Sequence, residues 1–168
     1  MVATTYLDLE NTIIGTFKDG GSLRNVQKIR QVLQDRGVEE VGIFSFALFN
    51  EADKYYFQNT LQVAIEDALG VKVTTVPTII EMMVADYEYT GTYFDPRNGC
   101  DMSDWITIRH KEGAFKYWIL NKFVNQKASP RCDIVKTLLI DDVVPNMYST
   151  YTDEQLVIEY LNIDKYKE

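Results

Sequence analysis

Asp8 and Glu10 stand two residues apart where an apolar run gives way to polar side chains, in "TTYLDLENTII" (Thr4 to Ile14). A second acidic pair, Asp141-Asp142, directly follows "IVKTLLI" (Ile134 to Ile140), and Ser45 falls within a third apolar stretch, "VGIFSFAL" (Val41 to Leu48). An acid at a strand end is ordinary by itself, because chains turn toward water there. Several acids brought into one crevice repel each other, and a divalent cation or a shared proton relieves the crowding. Hard oxygen donors of this kind suit Mg²⁺, which takes one or two carboxylates and leaves positions for water and a substrate's phosphate. The chemistry to expect is therefore a Mg²⁺ centre facing a phosphorylated ligand.

Such a centre needs elements that bring Asp8, Glu10, Ser45, Asp141 and Asp142 to one place. Strand-like and helix-like segments alternate along the chain, which predicts an α/β fold with a mostly parallel sheet. Thr4 to Leu9 reads as the first strand. A helix follows, capped by Ser22, with Leu23, Val26, Ile29 and Leu33 on its apolar face and Gly37 at its stop. Val41 to Leu48 is a second strand, apolar on both faces as a doubly covered strand should be. A second helix, Ala52 to Leu69, carries Phe57, Leu61, Ile65 and Ala68 at helical spacing and ends at Gly70. Val71 to Ile79 is a third strand, which Pro77 ends or marks as an edge.

Met82 to Asp104 reads as an irregular loop or small insertion, since "YEYTGTYFDPRNGCDMSD" is rich in turn formers. Trp105 to Arg109 forms a short strand, and Glu112 to Asn125 a third helix with Phe115, Ile119 and Phe123 every four residues. Ile134 to Ile140 is the fourth core strand. A short helical or turn segment and a last strand, Gln155 to Leu161, complete the pattern. In parallel α/β sheets ligands bind at the carboxyl ends of the strands, which is where the acids and Ser45 fall.

The totals narrow the classes. The 168 residues fit one domain, and 46% hydrophobic with 12% aromatic residues is globular rather than disordered. Seventeen basic against twenty-five acidic residues, a formal charge of −8, argue against tight nonspecific binding to a nucleic-acid backbone. Two distant cysteines, Cys100 and Cys132, make neither a zinc cage nor a disulfide framework, and the single His110 excludes a multi-histidine site. The cysteine usage fits a reducing, cytoplasmic compartment. No apolar run reaches membrane-spanning length, and no signal-peptide pattern opens the chain, so a soluble protein is expected.

Taken in order, these pieces resemble the haloacid dehalogenase (HAD) superfamily of phosphatases and phosphotransferases over essentially the whole chain. Asp8-Leu9-Glu10-Asn11-Thr12 matches the family's Asp-x-Asp-x-Thr at the end of an apolar strand. Ser45 in "GIFSF" matches its second motif, a lysine before the last motif its third, and "TLLIDDVVPN" its acidic fourth. The stretch "HKEGAFKYWILNKFV" is also similar to phage-type polynucleotide 3′-phosphatase domains. The resemblance implies a Rossmann-like three-layer sandwich without a large cap. It implies Asp8 as nucleophile and Mg²⁺ ligand, and Glu10 as general acid and base whose backbone carbonyl meets the metal. Ser45 and the Phe46 amide would hold phosphoryl oxygens, Lys116 (or Lys111) would steady the transition state, and Asp141 with Asp142 would complete the metal shell. Glu10 departs from the family's Asp by one methylene, about 1.5 Å of extra reach.

In this family a site with little cap admits large substrates such as nucleic-acid ends, whereas the acidic total favours nucleotides or other small phosphate esters. Two alternatives accompany the phosphatase. One is a binding or regulatory protein that has lost efficient turnover at Glu10. The other is a metal-dependent nuclease of the NYN/PIN type, whose first strand can also end in Asp-x-Glu-Asn.

Overall fold

The computed structural model describes residues 5–90, 135–142, 148–153 and 156–166. The segments Trp105 to Arg109 and Glu112 to Asn125, and Lys111, Lys116, His110, Cys100 and Cys132, lie outside the described residues.

The strands are β1 (Thr5–Leu7), β2 (Glu40–Ile43), β3 (Lys72–Thr75), β4 (Val135–Asp141), β5 (Tyr148–Asp153) and β6 (Leu156–Asn162). They form one sheet in the order β3-β2-β1-β4-β6-β5. Every neighbouring pair is parallel except β5 with β6, so five strands run one way and β5 is an antiparallel edge. From β1 the chain steps outward through β2 to β3, then returns to place β4 on the other side of β1. The order thus reverses between β1 and β4, and a crevice opens at such a switch point beyond the carboxyl ends of the two strands.

The helices are α1 (Val26–Asp35), α2 (Glu51–Thr60), α3 (Gln62–Leu69) and α4 (Ile79–Thr90). Ile29, Val32 and Leu33 of α1 and Phe57, Leu61 and Ile65 join Leu7, Ile43, Ile140 and Leu161 in one core cluster. Side chains alternate along a strand, and the intervening residues Tyr6, Phe44, Leu139 and Tyr160 are buried as well, outside that cluster. Both faces of the central strands are therefore covered, as their continuous apolar sequences require. Gly42 pairs with Tyr6. A Cβ at Gly42 would stand 2.4 Å from the Tyr6 ring, so glycine is what lets the ring lie across β2.

Several elements differ from the sequence expectation: the second and third strands are shorter, ending at Ile43 and Thr75 rather than Leu48 and Ile79. The helix expected to start at Ser22 starts at Val26 behind Asn25, whose φ of 55° is left-handed. Leu23 instead bridges Ile14 and is 39% exposed. The expected single helix from Ala52 to Leu69 divides at Leu61, directly after Thr60, whose hydroxyl donates to the Tyr56 carbonyl, a bond of the kind that bends helices. Residues 82–90, expected to be irregular, belong to α4: Thr78 caps it by accepting the Glu81 amide, and Ile79, Met82 and Met83 are buried. The segment expected to be a short helix or turn before the last strand contains β5, which pairs along its whole length with β6.

Candidate metal centre

Register alone brings the acids together. Leu7 of β1 pairs with Ile140 of β4, and the Asp8 amide continues the ladder by donating to the Ile140 carbonyl at 3.0 Å. Asp8 therefore stands level with Asp141, and residues level across a parallel pair face the same side. On the far side of β4, Asp141 pairs with Asn162 of β6. A polar row, Asp8, Asp141 and Asn162, thus crosses three adjacent strands at their carboxyl ends, each residue at most 6% exposed.

Asp142 adds a third carboxylate from just beyond β4. One oxygen from each of Asp8, Asp141 and Asp142 lies within 4.8 Å of the others. The Thr12 hydroxyl donates to Asp8 Oδ2 at 3.0 Å, and the Asp142 amide donates to Asp141 Oδ1 at 2.7 Å, so two of the three carboxylates are oriented by the chain itself. Thr12 is held in turn. The amides of Thr12, Ile13 and Ile14 all converge on the Leu9 carbonyl, and Asn25 Nδ2 donates to the Thr12 carbonyl at 2.8 Å. Asn11, at φ 61°, supplies the left-handed residue this tight loop needs.

Crowding has an electrostatic cost that falls on Asp142. Burial, then a hydrogen bond that the protonated Asp142 carboxyl donates to the Asp141 side chain, then the charges of Asp141 and Asp8 push its carboxyl up from 3.8 to about 7. A divalent cation would relieve that cost, and the three carboxylates offer the hard oxygen donors such an ion takes.

The other expected residues sit differently. Glu10 is half-buried and is not one of the three clustered carboxylates; its Oε2 accepts the Phe17 amide at 2.9 Å. Ser45 is 2% exposed, two residues beyond β2 on the same rim. Its Oγ accepts the Ala47 amide at 3.1 Å, leaving the hydroxyl hydrogen to donate. Lys116 and Lys111 lie outside the described residues. Asn162 was not singled out by sequence; the signal for it was the same as for Asp141, a polar residue closing the apolar run "LVIEYL". Comparison of the chain with protein-family models, with curated proteins and with solved structures finds no match.

Proposed function

We propose that this protein is a Mg²⁺-dependent phosphohydrolase that acts on a phosphate monoester, a nucleotide or a nucleic-acid end among them, through a phosphorylated Asp8. The observation that carries the reading is the meeting of Asp8, Asp141 and Asp142 within 4.8 Å at the switch point between β1 and β4. The strand order, with β1 central and the site at the reversal, agrees with the Rossmann-like, HAD-type three-layer arrangement that the sequence motifs resemble. No helix among the described residues is long and apolar enough to cross a membrane, and the cysteine usage favours a cytoplasmic setting.

Asp8, Asp141 and Asp142 would hold Mg²⁺, with the Glu10 carbonyl as a further oxygen donor. When bound, the ion neutralises the crowded carboxylates and draws charge from the phosphoryl oxygens. Asp8, held by Thr12, attacks phosphorus; the ester oxygen leaves with a proton from Glu10, and an acyl phosphate remains on Asp8. Glu10 then takes a proton from water, which attacks phosphorus and returns Asp8 and inorganic phosphate. The Ser45 hydroxyl donates to a phosphoryl oxygen throughout, and Lys116 is the proposed cation.

The engagement of Glu10 with the Phe17 amide favours one second reading, a domain that binds Mg²⁺ and phosphate with little turnover. The test incubates the full chain and Asp8→Asn with Mg²⁺ and, separately, an aryl phosphate, a 3′-phosphorylated oligonucleotide and an unmodified one. Phosphate release that needs Mg²⁺ and disappears in Asp8→Asn is expected. Cleavage of the unmodified strand would replace this proposal with the nuclease, and binding without release would replace it with the non-catalytic domain.

A further inference from the structure

The last strand does more than flank the site. Ile163, just past β6, donates its amide to the Asp141 carbonyl at 2.9 Å. Asn162 Nδ2 donates to the Asp142 carbonyl at 3.4 Å. The two carbonyls that frame the Asp141-Asp142 pair are thus both gripped from the end of β6. The other end of the same amide is fixed as well. Asn162 Oδ1 accepts the Asp164 amide at 2.9 Å and the Lys165 amide at 3.3 Å, which closes the turn after β6 around it. The side chain is 3% exposed and stands in register with Asp141.

An amide serves this position where an acid or an aliphatic would not. A carboxylate at 162 could accept the two turn amides but could not donate to Asp142, and it would add a fourth negative charge beside three. A leucine would fill the space and make none of the bonds. Asp142 lies one residue beyond β4; its amide is held by Asp141 Oδ1, and among the described residues Asn162 is the side chain that holds its carbonyl.

We propose that Asn162 is a positioning residue that sets the affinity of the carboxylate cluster for its divalent cation by fixing the backbone of Asp142, an inference that rests on the metal-centre reading. Groups that orient ligands in this way typically change metal affinity 10- to 100-fold on removal.

The test titrates Mg²⁺ into the full chain by calorimetry and follows Mn²⁺ by paramagnetic resonance, for the wild type, Asn162→Ala and Asn162→Ser. Serine accepts turn amides as asparagine does, though more weakly, and is too short to reach Asp142, so it separates the turn from the grip. Both variants are expected to raise the Mg²⁺ Kd about tenfold or more, while Asn162→Ser keeps more of the metal-free melting temperature than Asn162→Ala. A wild-type Kd in Asn162→Ser would reduce Asn162 to a turn cap and overturn the inference, as would failure of both variants to fold. No Mg²⁺ or Mn²⁺ binding by the wild type would overturn the metal centre itself, a result distinct from either.

Discussion

Replacing Asp142 by asparagine should make the metal-free protein more stable while spoiling its response to Mg²⁺. Without metal the folded carboxyl titrates at about 7 against 3.8 for an ordinary carboxyl. Between those values the folded state holds a proton the unfolded chain has lost, so stability falls as pH rises from about 4 to about 7 and stays reduced above that. A tenfold change in proton affinity is worth about 1.4 kcal/mol, which caps the loss at about 4 kcal/mol. Asp142 is only half-buried, and solvent screening reduces this to about 2 kcal/mol. In a domain of this size that is about 4–8 °C in Tm. Asp142→Asn cannot ionise and keeps its backbone amide on Asp141. It should therefore melt about 4–8 °C above the wild type at pH 8 and close to it at pH 4. Mg²⁺ at about 100 times its Kd adds roughly 2.7 kcal/mol to a folded state that binds it. The wild type should gain that, and the variant much less. The assay is thermal unfolding of both proteins across pH with and without Mg²⁺. An Asp142→Asn protein that melts at or below the wild type at pH 8, or that gains equally from Mg²⁺, would refute the reasoning.

Other outcomes follow from single contacts. Glu10→Gln keeps an oxygen for the Phe17 amide but cannot exchange a proton, so phosphate release should fall about 10²- to 10⁴-fold with Mg²⁺ affinity unchanged in calorimetry. Thr12→Val preserves shape and removes the hydroxyl donor to Asp8; it should cost about 1–2 kcal/mol in denaturant unfolding and lower kcat more than it raises KM. Gly42→Ala drives a methyl into the Tyr6 ring and should cost about 1–3 kcal/mol, read as a lower Tm.

The central strands were legible because each is a nearly unbroken apolar run and the polar residue closing it marks the sheet's rim. Asp8 and Asp141 could be matched for the same reason. That they meet depends on β4 lying next to β1, a fact of strand order that no local pattern encodes. Glu10 illustrates the limit: its spacing from Asp8 is local, but its carboxylate goes to Phe17 because the intervening loop winds on the Leu9 carbonyl. The start of α1 differs because Ser22 and Asn25 are equally good caps by type, and it is Asn25 that the tertiary structure holds, through its bond to the Thr12 carbonyl. The helix at Ile79–Thr90 was hidden because "IIEMMVADYEYT" has apolar residues on several sides and runs into turn formers. β5 was hidden because its Ser, Thr and Tyr residues take their order from pairing with β6.

The position of β6 has a consequence for how the protein is made. It slots between β4 and β5 although it is synthesised after both, so the outer edge of β4 stays open until residues 156–162 arrive. A nascent chain stalled before that point would carry Asp141 on a bare strand edge, the kind of surface that pairs with other chains. If the carboxylates bind Mg²⁺ as proposed, its capture should be among the last events of folding, and a pulse of Mg²⁺ during refolding would report the docking of the final strand.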